Sequence, residues 1–170
     1  MDNTNNINIP KFALSFGLIA GLVRVLIDYL PKILDLSAFT YYATFFVGFV
    51  FEIFVIYYVL KTFKLKNGIL LFKQTLQIGI TIMFVLGLIY CTMSYIYDTY
   101  IDSEYTVRKT LEILEKYNPD QMESFEIQMK HAEQNKSILG IFTFTLYFVF
   151  IGVFISLILG SFLKSENSNS

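Results

Sequence analysis

Three ionisable residues, Arg24, Asp28 and Glu52, stand inside stretches of sequence that are otherwise apolar. Residues of these types can relay ions or protons, hold an anionic ligand, or tie helices together. A charge at the middle of a bilayer costs roughly 3 kcal/mol on the insertion scale, so such side chains face the protein interior and pair. Arg24 and Asp28 are i, i+4 neighbours and can pair within one helix. Glu52 belongs to the next apolar block. With the first helix rising and the second descending, Arg24 lies about 9 Å and Glu52 about 20 Å below the same boundary, at 1.5 Å per residue. Two long side chains close most of that gap, so an Arg24–Glu52 contact is expected, with Asp28 above it. Three readings stay open: a polar clamp that fixes helix register, a relay or anionic-ligand site, and charges that snorkel toward the boundary.

Other reactive groups are scarce. His131 is the only histidine and Cys91 the only cysteine. That excludes a multi-histidine metal site, a four-ligand Cys/His zinc site and an internal disulfide. No span offers a paired acid and nucleophile, and neither HExxH nor GxSxG occurs. No enzymatic activity and no cofactor are expected. A net charge of -1 supplies no basic field for nucleic acid. Cys91 reads as a small buried hydrophobe, and His131 as a solvated helix residue.

The elements that carry the three charges follow from hydropathy. The chain is 55% hydrophobic and only 16% charged, where a soluble domain carries about 25% charged residues. The apolar excess comes in four blocks, about 12–30, 39–60, 75–97 and 138–163. Each approaches the ~20 residues needed to cross a ~30 Å hydrocarbon core. The first eleven residues read as a polar tail. Arg24, Asp28, a single preceding lysine and the lack of a small-x-small cleavage site argue for a retained helix over a signal peptide. Pro31 is expected to end it. A basic connector with Lys61, Lys64 and Lys66 and a turn at Asn67-Gly68 follow the second block. The third opens with a half-polar stretch holding Lys73, Gln74 and Gln77.

Residues 98–136 form a polar segment with nine acids and five bases. Val107, Leu111 and Leu114, then Met122, Phe125, Met129 and Ala132, recur at helical spacing on either side of Asn118-Pro119-Asp120. The fold class is therefore all-α: one integral membrane domain, 1–170, built as a four-helix antiparallel bundle. An extracytoplasmic amphipathic helical hairpin joins helices three and four.

Small residues supply the packing. Ala13, Gly17, Ala20 and Gly21 share the arc of Arg24 and Asp28. Thr44 and Gly48 share a face with Glu52. Gly79, Met83, Gly87, Tyr90 and Ser94 line the third helix, and Gly152, Ser156 and Gly160 the fourth. Such stripes let helices approach closely, within the chain, with a second copy, or with another membrane protein. The three-lysine connector carries no acid nearby, whereas Lys32 after the first block is opposed by Asp35. The positive-inside rule then puts the lysine connector and both termini in the cytoplasm and residues 98–136 outside. Tyr29, Tyr41, Tyr42, Tyr95 and Tyr97 read as an aromatic belt at one boundary, with Tyr57 and Tyr58 at the other.

Several spacings resemble a known family. Gly68, Phe72 and Gly79 lead into the third helix. Tyr95-Ile96-Tyr97 and Ile101-Asp102 precede the acidic amphipathic segment. The last helix closes with Ile155-Ser156-Leu157-Ile158 and Phe162-Leu163-Lys164. Over nearly the whole chain this resembles the bacterial membrane proteins grouped as domain of unknown function 4199. Ser103 stands where a proline is expected, which touches only the local turn. The resemblance implies four spans in a bacterial inner membrane, and it implies no activity. Two function classes remain: a non-enzymatic structural or interaction module, and a small transporter or channel-like protein using Arg24, Asp28 and Glu52.

Overall fold

Asn8 starts the first helix, its side chain accepting a hydrogen bond from the Lys11 amide at 3.1 Å, with Pro10 in the first turn. A proline is tolerated there because its missing N–H would have no helical acceptor. The computed structural model describes residues 7–133 and 138–163, the side chains of 130–133 excepted. Helix α1 spans Ile9–Ile33, so part of the expected polar tail is helical, and residues 1–6 lie outside the described residues. Pro31 does not end α1. It sits in the last turn, and the Leu34 amide beyond it still donates to the Leu30 carbonyl at 3.1 Å. The chain leaves the helix at Asp35, whose φ of 45° lies in the left-handed region.

Helix α2 spans Ala38–Asn67, and Ser37 caps it by accepting from the Thr40 amide. The lysine connector is thus the last two turns of α2 and not a loop. Lysine loses little rotamer freedom in a helix and favours it. Gly68 stops the helix at φ 79°, where a side chain would be strained. Helix α3 spans Phe72–Ile96 and continues as a π-helical turn, Tyr97–Ile101. Helix α4 spans Tyr105–Tyr117. After a 3₁₀ turn at Pro119–Gln121 come α5, Met122–Glu133, and α6, Leu139–Leu163. No strand occurs among the described residues.

Helices α1, α2, α3 with its π-turn, and α6 are each long and apolar enough to cross a membrane. Their outward faces expose Leu26, Phe46, Phe54, Phe144 and Phe150, which lipid rather than water would cover. Helix α3 is the hub, packing along α1 on one side and α6 on the other, while α2 leans mainly on α1. Glycines set the two close contacts. A Cβ on Gly17 or Gly21 would press on Val85 or Ile89 of α3. One on Gly79 would meet Ser156, one on Gly87 Phe148, one on Gly152 Met83, and one on Gly160 Thr75.

The apolar core, including Ile56, Leu60, Phe63, Ile78, Ile82 and Leu86, fills the half of the bundle nearer the Gly68 turn. The half nearer the α1–α2 loop is polar. There α4 packs on α2 and the loop, and α5 packs on α4. Val107, Leu111 and Leu114 are half-buried, as are Met122, Phe125 and Met129. The side chains of His131 and Ala132 lie outside the described residues.

Candidate functional site

Arg24, Asp28 and Lys32 follow one another at i, i+4 and i+8 along α1, and all three are buried. This register puts them on one face, one above the other. Arg24 meets the buried Glu52 of α2, its Nε donating to Oε1 at 3.3 Å. Its guanidinium lies between two neighbours. On the α2 side is Gly48, where an added Cβ would overlap the guanidinium. On the α3 side the Tyr90 ring centroid is 4.4 Å from Cζ, close enough for a cation–π contact. Gly48, expected as a packing position, is therefore where α2 receives the arginine.

Asp28 pairs with Lys32, not with Arg24: the Lys32 ammonium is 3.1 Å from Asp28 Oδ2 and 3.4 Å from Asp98 Oδ1. The same ammonium lies 4.7 Å from the ring centroid of Tyr97 and 5.8 Å from those of Tyr29 and Tyr41. Tyr41 and Tyr97 are buried, and with Tyr29 they form a cage around a cation. The correction has one cause. Because α1 continues through Pro31, Lys32 keeps the register of Asp28 and turns inward instead of joining a connector. The 24–28–32 spacing was the available signal. Asp98 and Tyr90 had none as strong.

Helix α4 closes over this cage. Tyr105 is buried, its edge against the Tyr41 ring, and its hydroxyl donates to the Pro31 carbonyl at 3.2 Å. Burial pushes the Tyr105 phenol up to about 12. Lys109, also buried, lies 3.0 Å from Asp35 and 3.4 Å from Glu112. Glu112 in turn accepts a hydrogen bond from the Ala38 amide at 3.1 Å, which holds the first turn of α2. That donation, with Lys109 beside it, keeps the Glu112 carboxyl below its usual range. Tyr42 and Thr110 share a further hydrogen bond between α2 and α4. At the start of α4, the Arg108 guanidinium donates to both oxygens of Asp102 and lowers that carboxyl.

The arrangement is a column of alternating charge: Glu52, Arg24, Asp28, Lys32, Asp98. Its top, the Asp98 side chain, is 34% exposed, while the others are almost sealed. Among the described residues, no group of three or more His, Cys, Asp or Glu could hold a metal. A groove of about 420 Å³ lies elsewhere, between α2 and α6, lined by Phe49, Ile53, Phe150 and Phe154 among others. It is apolar and holds none of the charges.

A family model described as a protein of unknown function (DUF4199) matches residues 15–165. No curated protein and no solved structure matches the chain.

Proposed function

We propose, for a chain that belongs to the DUF4199 family, a role as a non-enzymatic structural or interaction module of a bacterial inner membrane, with the buried charges acting as a clamp. One observation carries this reading: Arg24, Asp28, Lys32 and Glu52 each lie within 3.4 Å of an opposite charge. Pairing is what lowers the cost of a charge in hydrocarbon. The clamp fixes α2, the span with the weaker grip on α3, against α1. The aromatic outer faces of α2 and α6 are then free to meet a second copy or another membrane protein.

The test is a melting series in detergent. Arg24→Ala should cost about 3–5 kcal/mol, because it strands the Glu52 carboxylate. Glu52→Gln should cost less, since the amide still accepts a hydrogen bond from Arg24. The double change Arg24→Leu with Glu52→Leu should recover much of the loss, as no unpaired charge remains. Purely additive losses in the double variant would remove the clamp.

A small transporter or channel-like protein is the second reading. The column favours it, because its charges run from the partly exposed Asp98 to the buried Glu52. Reconstituted vesicles separate the two. Ion or proton flux that disappears in Glu52→Gln while the fold persists selects transport.

A further inference from the structure

The two ion pairs of the column do not touch through a hydrogen bond. Arg24 Nη1 is sealed from solvent with no partner, and so is Asp28 Oδ1. Both belong to side chains more than nine-tenths buried. They sit one helical turn apart on the same face of α1, where side chains are neighbours. A buried donor or acceptor left unmade is costly, and more so when it is charged. Two such atoms side by side, one a donor and one an acceptor, are what a buried water joins. An anion would be attracted by Arg24 but repelled by Asp28, and a cation the reverse. A neutral molecule that both donates and accepts suits both. Tyr90 lies directly against the Arg24 guanidinium, and the Ser94 hydroxyl, one turn along α3, is also sealed from solvent.

We infer that Arg24 Nη1 and Asp28 Oδ1 hold an ordered water beside Tyr90 and Ser94, joining the Arg24–Glu52 and Asp28–Lys32–Asp98 pairs into one hydrogen-bonded column. This deepens the clamp reading and rests on the same pairs. It makes the polar half of the bundle hydrated at a depth where its outer face is apolar.

Radiolytic hydroxyl-radical footprinting of the full chain in lipid nanodiscs tests it, because bound water yields radicals that modify only adjacent side chains. Mass spectrometry should find Tyr90 modified. Two controls should stay unmodified. Cys91 is the next residue, intrinsically more reactive, and buried beside Thr145 of α6. Tyr147 is exposed on the apolar outside of α6. In Ser94→Val, which narrows the site, modification of Tyr90 should fall to the level of the controls. An unmodified Tyr90 in the unaltered chain means a dry site and overturns the inference. Equal modification of Tyr90 and either control means diffuse entry and overturns it too. The melting series above reports Arg24–Glu52 coupling with or without the water, so the two ideas can fail separately.

Discussion

Lys32 carries an ammonium that is nearly sealed from solvent in the polar half. Bare, its ammonium would be expensive there. Two carboxylates within 3.4 Å and three tyrosine faces offset that expense. Tyr105 supplies the roof and gives the clearest pH signature outside the spans. Burial holds its phenol at about 12, above the usual 10. An acid whose folded value is raised contributes stability that is fully present below its unfolded value. That stability is lost as pH rises from 10 to about 12. Docking of α4 should therefore weaken across that window. In an ultraviolet tyrosinate titration, subtracting Tyr105→Phe from the unaltered chain should leave one phenol ionising near 12. A difference centred near 10 would show that Tyr105 is not covered. The variant itself should lose about 1 kcal/mol, the worth of its hydrogen bond to Pro31.

Among the elements, the four spans were legible because an apolar block near 20 residues has few soluble alternatives. Their ends were not. Lysines 61, 64 and 66 look like a loop by charge, yet lysine propagates a helix until Gly68 stops it. Pro31 looks like a stop, yet in a last turn it disrupts little. That single misjudged end hid Lys32, the link between Asp28 and Asp98. The small-residue stripes were legible as faces, and the structure supplies their counterparts: α1 and α6 both press on α3. Overpacking such a contact costs roughly 1–3 kcal/mol, and more where backbone must move. Gly17→Leu, Gly21→Leu and Gly79→Leu should each lower the melting temperature in detergent. Leu18→Ala should lower it little, since Leu18 is 44% exposed. Gly140→Ala serves as a further control, because nothing lies within 4 Å of its added Cβ. Glycine variants that melt with the unaltered chain would mean that α1 or α6 does not pack on α3 as described. What an amphipathic pattern cannot specify is its target. The α4 stripe was visible, but its seat over the α1–α2 loop depends on Tyr105, Lys109 and Glu112 meeting Pro31, Asp35 and Ala38 from more than sixty residues away.

At the scale of the whole molecule, charge divides the bundle between its two ends. Lys61, Lys66 and Lys73 are exposed around the Gly68 turn. Asp102, Glu104, Asp120 and Glu123 belong to the opposite end and its helical appendage, whose segment 98–136 holds nine acids against five bases. Short loops rich in lysine stay on the cytoplasmic side, while acids contribute little to the choice. The proposed orientation thus rests on the lysines, with α4 and α5 outside. Because the connector is helical, its lysines project from the end of α2 and not from a flexible loop. Lys64 is also tied to the last carbonyl of α6, donating to Leu163 at 2.9 Å. Lys61, which is exposed, is the better probe position. Single cysteines at Lys61 and Glu123, each in a Cys91→Ser background, would be treated with a membrane-impermeant thiol reagent in intact cells with a permeable outer membrane. Labelling at 123 and protection at 61, with 61 labelled only once the inner membrane is opened, is the expected result. Labelling at 61 with protection at 123 would invert the molecule and turn Asp98 and the α4 roof toward the cytoplasm. Labelling at both positions in intact cells would mean two coexisting orientations, and the lysines would then not set the topology.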